Sequence, residues 1–225
     1  FIMNVLAKFA GFILDLPKTV FFNLKYFGVR GLFILPVLVS RKVKYINSGG
    51  NVKLEGNLRF GIIRLGYSDV GIFDKRYNRT IWDVRGNVVF KGGARIGCGS
   101  KINVGSTGTL VLGNNFVITA SSAIVCFSNV RFGDNCLLSW ENLIIDNDFH
   151  NVTMKNGKTI GKSKDITVGN DVWISCRCTV LKGTVIPDNC VIGSNSLLNK
   201  VFEKPDCLYA GVPAKMIKEI EKWER

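Results

Sequence analysis

The chain has 225 residues, 47% of them hydrophobic, and its 30 lysines and arginines against 17 aspartates and glutamates give a net charge of +13. This apolar content, with only 5 prolines, excludes a disordered or collagen-like chain, and the length favours one compact unit. The positive excess favours an anionic partner, such as a phosphorylated cosubstrate, a nucleotide sugar, an acidic glycan, nucleic acid or a membrane surface.

The first 45 residues are rich in apolar side chains but carry no membrane-spanning or secretory signal. The longest uncharged stretch among the first 40 residues is Gly31–Ser40, which Pro36 interrupts. A spanning helix needs about 20 apolar residues, and the run Phe9–Leu14 is short for a signal-peptide core. We therefore expect a cytoplasmic protein. Residues 1–45 are expected to cap one end of the fold, with residues 1–40 packing on a neighbouring subunit or lying against the inner face of the membrane.

A repeat of six residues dominates the rest of the chain. An aliphatic side chain occupies every sixth position at Val168, Ile174, Val180, Ile186, Ile192 and Leu198. A mostly small residue follows four positions later, at Val172, Cys178, Thr184, Cys190, Ser196 and Phe202. A period of six fits neither the 3.6 of an α-helix nor the 2 of a single strand. It is typical of a parallel β-helix in which three short strands make one coil, so that residues eighteen apart stack.

The same pattern occurs earlier, with breaks, and predicts a β-helix over residues 46–208. The earlier aliphatic or aromatic positions are Ile96, Ile102, Leu112, Ile118, Ile124, Phe132, Leu138 and Ile144. This frame predicts that Cys136, Cys178 and Cys190 are small core residues. The seven cysteines are an odd number and favour free thiols in a reducing compartment. Cys176 and Cys178 could suggest a metal site, but a single histidine and no second cysteine pair argue against one.

Two segments depart from the repeat. Residues 151–165 are polar and lack the period, which predicts a loop that leaves the coil. Residues 209–225 follow the last repeat, and Pro213 is expected to begin a short helix with Met216, Ile217 and Ile220 on one face.

These motifs resemble the left-handed β-helix acyltransferases, which include the galactoside and maltose acetyltransferases. The resemblance rests on the hexapeptide run with VWI at 172–174, on AGVPAKMIKEI at 210–220, and on SWENLIIDNDFH at 139–150. The last stretch is most similar to members that act in capsule and O-antigen biosynthesis. The resemblance implies an all-β fold, a left-handed parallel β-helix, with acetyl-CoA as cosubstrate, no metal, and a homotrimer with sites in grooves between subunits.

Acetyl transfer to a hydroxyl needs a base that removes the hydroxyl proton, and histidine is the usual choice because it titrates near neutral pH. The only histidine of the chain, His150, lies where a coil ends and the loop begins, and it matches the catalytic base of the family. Asp146 and Asp148 are close enough in sequence to orient its ring. We expect a direct transfer in a ternary complex, without an acyl-enzyme.

The resemblance also implies a surface for coenzyme A. Ser175 and Cys176 occupy a position whose backbone faces the thioester in the family, and Ser194 matches a contact along the pantetheine arm. Asn199 and Lys200 stand where the family has a Thr-Lys or Ser-Lys pair. Lys215 and Lys218 match cations that meet the nucleotide phosphates, and Trp173 is expected to flank the pocket.

Other functions fit the sequence less well. A carbonic-anhydrase-like enzyme of this fold needs several histidines for zinc. No motif for nucleic-acid binding accompanies the positive charge, so we expect no nucleic-acid partner. An N-acetyltransferase acting on an amino sugar and a non-catalytic β-solenoid scaffold remain open. The expected function is an O-acetyltransferase acting on a sugar or polysaccharide acceptor in the synthesis of surface polysaccharide.

Overall fold

The computed structural model describes residues 2–67, 70–74 and 77–224, and within the N-terminal helix it describes side chains from Ala10 onward. The helix α1 spans Ile2–Ile34, with a break in helical geometry at Gly28. The strands, numbered in chain order, are β1 Val37–Val39, β2 Val43–Asn47, β3 Asn51–Leu54, β4 Ile63–Leu65, β5 Thr80–Val84, β6 Asn87–Phe90, β7 Ala94–Ile96, β8 Lys101–Val104, β9 Thr109–Leu112, β10 Phe116–Ala120, β11 Ala123–Cys126, β12 Asn129–Phe132, β13 Leu137–Trp140, β14 Leu143–Ile145, β15 Val152–Thr153, β16 Thr159–Ile160, β17 Ile166–Val168, β18 Trp173–Ile174, β19 Thr179–Leu181, β20 Val185–Ile186, β21 Val191–Ile192, β22 Leu197–Leu198, β23 Cys207–Gly211 and β24 Ala214–Glu219.

Three sheets form the faces of a solenoid, and the chain passes through them in turn. Sheet A has the order β1-β4-β7-β10-β13-β18-β21-β23-β24, sheet B the order β2-β5-β8-β11-β14-β19-β22, and sheet C the order β20-β17-β12-β9-β6-β3. Every pairing in these sheets is parallel except the last one in sheet A. The predicted parallel β-helix is therefore confirmed, and its first coil begins at Val37, before the expected start at residue 46.

The predicted stacking at a spacing of eighteen residues is confirmed in the last coils. Ile174 pairs with Ile192, and Val180 pairs with Leu198. All four side chains are fully buried. Cys136, Cys178 and Cys190 are buried in the core, as the repeat predicts. The core is thus a set of aliphatic columns, with small side chains filling the space beside them.

The corners between sheets C and A repeat one local structure in successive coils. Asn115, Asn135, Asp171 and Asn189 all adopt positive φ, which Asn and Asp tolerate better than other non-glycine residues. The side chain of Asn115 donates to Asn135 (3.1 Å), and that of Asn135 donates to Asp171 (3.0 Å). These amide and carboxylate groups form a ladder along one edge of the solenoid.

Glycine precedes Asn115, Asn135 and Asp171 by two residues, where successive corners lie close together. A Cβ atom at Gly113 would lie 2.1 Å from the carbonyl oxygen of Gly133, and one at Gly133 would lie 2.6 Å from that of Gly169. Any larger residue would force the corners apart. The high glycine content therefore serves the close approach of corners as well as their conformation.

Helix α1 covers the free edge of β1 with a ladder of side chains. Asn23 accepts a hydrogen bond from the Val37 N–H (3.1 Å) and donates to its carbonyl (2.7 Å). Thr19 accepts from the Val39 N–H (3.0 Å). Four residues of helix rise about 6.0 Å and two residues of strand about 6.6 Å, so side chains four apart can serve strand residues two apart.

The same ladder ends at Asp15, which accepts from the Arg41 N–H (2.7 Å). Asp15, Thr19 and Asn23 are all buried and occupy one face of α1. The opposite face exposes apolar side chains, among them Ile13, Leu14, Phe21 and Leu24. Within the described chain, no helix combines the length and the apolarity that a bilayer crossing requires.

The segment without the repeat leaves the coil as expected. Residues 151–165 are all exposed, and Val152–Thr153 pairs with Thr159–Ile160 in an antiparallel hairpin. The hairpin projects from the corner between sheets B and C.

The predicted C-terminal helix is wrong. The chain reverses around Pro213, and Ala214–Glu219 pairs antiparallel with Cys207–Gly211. Met216 and Ile217 are about half exposed instead of lying on a common helix face. The physical reason is that Cys207–Gly211 is the last parallel strand of sheet A, and its free N–H and C=O groups need partners that a second strand supplies.

We expect replacement of Asn23 by alanine to destabilise the protein strongly. The change leaves the N–H and C=O of Val37 without partners, at about 1–3 kcal/mol for each buried group. Thermal and urea denaturation of the full chain measure the loss. Leu24→Ala is the matched control on the exposed face of the same helix, and equal losses in the two variants would contradict this role for Asn23.

Candidate functional site

His150 is held at the root of the projecting loop by contacts of its neighbours. The Asn147 side chain accepts a hydrogen bond from the Phe149 N–H (2.5 Å) and donates to the Ser163 hydroxyl (2.7 Å). The Phe149 ring packs edge-on against Phe127, with 4.9 Å between centroids. His150 is exposed, and its ring makes no hydrogen bond or ion pair with any residue that the structure describes. The imidazole is therefore positioned by its backbone and open to a ligand.

Asp146 is directed into the solenoid corner and not towards the imidazole. Its two carboxylate oxygens accept hydrogen bonds from the N–H groups of Phe127 and Ser128, each at 2.8 Å. The residue is fully buried, and this burial raises the pKa of the Asp146 carboxyl. Burial and the neighbouring Asp146 raise the pKa of Cys126 to about 12. Asp146 thus closes the corner from which the loop departs.

Asp148 forms an ion pair with Lys182, with 2.6 Å between Nζ and Oδ2. The Lys182 ammonium also donates to the carbonyl of Gly161 (2.5 Å), on the returning arm of the loop. The Asp148 N–H donates to the carbonyl of Lys162 (2.9 Å). Lys182 therefore fastens both arms of the loop that carries His150.

Lys182 was not among the site residues predicted from the sequence, although the repeat contains a signal for it. Ile145 pairs with Leu181, so the residue after each strand lies at the same corner. The 36 residues from Asp146 to position 182 comprise one coil of eighteen residues and the inserted loop, so the two positions are equivalent in adjacent coils. A lysine at that corner, beneath an acidic segment, could have been recognised as an anchor for the loop.

Ser175, Cys176 and Ser194 lie at a different corner, between sheets A and B. The Cys176 thiol contacts the Ser194 hydroxyl, with 3.3 Å between Sγ and Oγ. The Ser175 N–H donates to the carbonyl of Ile192 (3.0 Å). These residues belong to one edge of the solenoid, as the eighteen-residue spacing of Cys176 and Ser194 requires.

Trp173 lies on the outer face of sheet A, beside that corner. Its indole N–H donates to the Ser139 hydroxyl (3.1 Å), and its ring packs against Trp223 with 5.9 Å between centroids. The Trp223 indole donates to the carbonyl of Asp171 (2.6 Å). The C-terminal tail and β18 therefore form a pair of partly exposed tryptophans.

Lys215 and Lys218 share one face of the last strand although they are three residues apart. Lys215 pairs with Ala210 and Lys218 pairs with Leu208, because the register shifts between Leu208 and Tyr209. Directly paired residues lie on the same side of a sheet, as do residues two apart on one strand. The bulge thus brings both ammonium groups to the outer face of sheet A, where Trp173 also lies.

Asn199 and Lys200 lie at the corner between sheets B and C, and the Lys200 ammonium lies 5.4 Å from the centroid of the Phe202 ring. This is the corner of Lys182 and His150. The expected site residues therefore fall into two groups on one chain. One group lies at the corner between sheets B and C, and the other lies at the corner between sheets A and B and on the adjoining outer face of sheet A.

Comparisons with known proteins identify relatives of this chain. The family described as bacterial transferase hexapeptide (six repeats) matches residues 165–200. An uncharacterised 24.8 kDa protein in the cps region of Klebsiella pneumoniae is 30% identical over 190 residues, covering 84% of this chain and 81% of that protein. The galactoside O-acetyltransferase of Escherichia coli is 36% identical over 112 residues, covering 48% of this chain and 53% of that enzyme. A solved galactoside acetyltransferase in complex with coenzyme A is 32% identical, with a TM-score of 0.46, and the match covers 55% of this chain and 60% of that one.

We expect Lys182→Met to loosen the loop that carries His150. The change removes the ion pair to Asp148 and the hydrogen bond to Gly161, so amide hydrogen exchange at Asp148 and Lys164 should accelerate about tenfold. Exchange measured by mass spectrometry on the full chain tests this. Lys158→Met, at the exposed hairpin tip, is the matched control, and unchanged protection in Lys182→Met would contradict the anchoring role.

Proposed function

The chain belongs to the hexapeptide family of bacterial transferases, and we propose that it is an O-acetyltransferase that moves an acetyl group from acetyl-CoA to a sugar hydroxyl. The observation that carries the proposal is the placement of its single histidine. The corner at Asp146, the side chain of Asn147 and the Phe149 ring hold His150 at the loop root, while the imidazole itself stays unpaired among the described residues.

Acetyl transfer requires mainly that the protein position the donor, the acceptor and one general base. The imidazole of His150 removes the proton of the acceptor hydroxyl as that oxygen attacks the thioester carbonyl. The tetrahedral intermediate then collapses, the carbon–sulfur bond breaks, and the imidazolium returns the proton to the departing thiolate. Holding donor and acceptor together supplies much of the rate enhancement. No acyl-enzyme forms.

Asp148 is proposed as a positioning residue and not as a second base. Its carboxylate is paired with Lys182, which also holds the returning arm of the loop. Asp146 acts in the same way through the N–H groups of Phe127 and Ser128. Both carboxylates thus fix the backbone from which the imidazole projects.

Coenzyme A is proposed to lie along the corner between sheets A and B of a neighbouring subunit in a homotrimer. Ser175, Cys176 and Ser194 line that corner, and Lys215 and Lys218 share the adjoining outer face. Trp173 lies on the same face, with a ring available to flank the pantetheine arm. Asn199 and Lys200 belong to the His150 edge and would meet the same ligand from the other subunit.

The acceptor is proposed to be a sugar of a surface polysaccharide. The stretch at residues 139–150 is similar to members that act in capsule and O-antigen biosynthesis, and one relative is encoded in a cps region. Transfer to an amino sugar would use the same base and donor. A non-catalytic scaffold would need neither the unpaired imidazole nor a fastened loop.

We expect His150→Ala to lower kcat by about 10² to 10⁴ because it removes the general base. Thiol release from acetyl-CoA, measured with a panel of sugars and nucleotide sugars and followed by NMR of the acetylated product, gives the rate. Cys176→Ala should keep most activity, and Asp148→Asn should lose less than His150→Ala.

Light scattering on these variants should give a trimer, and circular dichroism should show an intact fold. Near-normal turnover by His150→Ala would contradict the proposed base and favour the scaffold. A fully active monomer would contradict a site shared between subunits.

We expect the double variant Lys215→Ala with Lys218→Ala to raise the KM for acetyl-CoA and to leave kcat less affected, because the lost charges bind phosphates remote from the reacting atoms. The salt dependence of binding should also weaken. Steady-state rates over a range of acetyl-CoA concentrations give KM and kcat, and titration calorimetry with acetyl-CoA at two salt concentrations gives the salt dependence of binding. Lys158→Ala with Lys155→Ala, on the hairpin, is the charge-matched control, and equal affinities in both double variants would place Lys215 and Lys218 outside the site.

A further inference from the structure

A cavity lies far along the chain from His150, between helix α1 and the outer face of sheet A. Its volume is about 800 Å³. The helix contributes one wall, and the strands β4, β7 and β10 contribute the other. The residues around it are Gly11, Phe12, Asp15, Leu38, Arg64, Tyr67, Val70, Arg95, Val117, Ile118 and Thr119. We call it the helix–sheet cavity.

Two arginines, both exposed to solvent, stand side by side among the residues that line this cavity. Arg64 and Arg95 are direct partners in the pairing of β4 with β7, so their backbones lie about 4.8 Å apart. Like charges placed directly opposite each other on neighbouring strands destabilise a sheet. Neither guanidinium forms an ion pair with a carboxylate in the part of the chain that the structure describes. The pair therefore carries two positive charges that the described residues leave uncompensated.

The carboxylate of the cavity is already engaged. Asp15 accepts hydrogen bonds from the Arg41 N–H (2.7 Å) and the Tyr67 hydroxyl (2.9 Å), and the Arg41 guanidinium lies 3.7 Å away. Its charge is thus offset by Arg41 and not by the pair on the sheet. Tyr67, with its hydroxyl held by Asp15, is fixed beside Arg64 as part of the cavity wall.

Apart from Thr119, the rest of the cavity lining is apolar, and the cavity is large. The ring of Phe12 and the side chains of Leu38, Val70 and Val117 line it. A volume near 800 Å³ falls in the range of sites for small organic ligands and exceeds what a lone inorganic ion fills. A ligand that suits the cavity therefore has an anionic group for the arginines and a larger attached portion for the apolar walls.

We propose that the helix–sheet cavity binds the diphosphate group of a diphosphate-linked ligand, with one phosphoryl group on Arg64 and the other on Arg95. Guanidinium groups bind phosphate oxygens through paired, charge-assisted hydrogen bonds. The attached group lies against Tyr67 and Phe12. This binding does not depend on the acetyl transfer proposed above.

Titration calorimetry on the full chain with three probes tests the proposal. Inorganic pyrophosphate tests binding of the diphosphate alone. UDP-N-acetylglucosamine tests a diphosphate linked to a nucleotide, and farnesyl diphosphate tests a diphosphate linked to a lipid. At least one of the two larger probes should bind more tightly than pyrophosphate. Arg64→Gln and Arg95→Gln should each weaken that binding about tenfold, as the loss of a charge-assisted hydrogen bond predicts. Arg64→Lys and Arg95→Lys should fall between the wild type and the glutamine variants.

Arg131→Gln is the matched control, since Arg131 is an exposed arginine that points outward from sheet C. It should leave the affinities for the three probes nearly unchanged. The affinity for acetyl-CoA should also be unchanged in the double variant of Arg64 and Arg95, which separates this site from the phosphate contacts of coenzyme A. No binding of any probe to the wild type, or an equal loss in Arg131→Gln, would overturn the proposal.

Discussion

The structure depends on successive corners lying directly above one another at the spacing of β-strands. Each coil turns three times, and every turn must fit against the same turn of the coils on either side. At the edge between sheets C and A this contact leaves no room for a Cβ at Gly113 or Gly133. The neighbouring Asn115 and Asn135 take positive φ and join their side chains along the edge. When the corners are aligned, the strands between them are in register. Each inward side chain then lies over the equivalent side chain of the next coil, which forms the aliphatic columns of the core.

This regularity also determines where new structure can be added. A segment can leave the stack only at a corner, since a break within a strand would interrupt a whole sheet. The loop with His150 leaves between sheets B and C, and the chain returns to the same corner before β17. Lys182, one coil further along, closes the base of the loop on both arms. The regular stack thus provides a rigid platform, and the irregular segment provides the exposed imidazole.

Much of the fold could be predicted from the sequence because the repeat can be recognised from the residue type at every sixth position. The period of six residues alone predicts the stacked pairs Ile174 with Ile192 and Val180 with Leu198. It could not predict the end of the stack. The pattern of Met216, Ile217 and Ile220 also fits a helix, and only the free edge of Cys207–Gly211 favours a strand. The contact between Asp148 and Lys182 was harder to predict, because an inserted loop separates the two residues in sequence. The pairing of Arg64 with Arg95 was also harder to predict, because the coils there differ in length.

The ladder of Asp15, Thr19 and Asn23 has a consequence for assembly. A bare first strand would offer its N–H and C=O groups to any other solenoid, and stacking end to end would give open filaments. Four residues of helix rise about 0.6 Å less than two residues of strand. The side chains of α1 therefore stay aligned with the strand over only a few successive hydrogen bonds. A helix can therefore cap a three-residue strand such as β1 in this way, but it cannot cap a long strand. Short strands at this end therefore allow a helix to keep the solenoid finite, so that association is left to its flat sides.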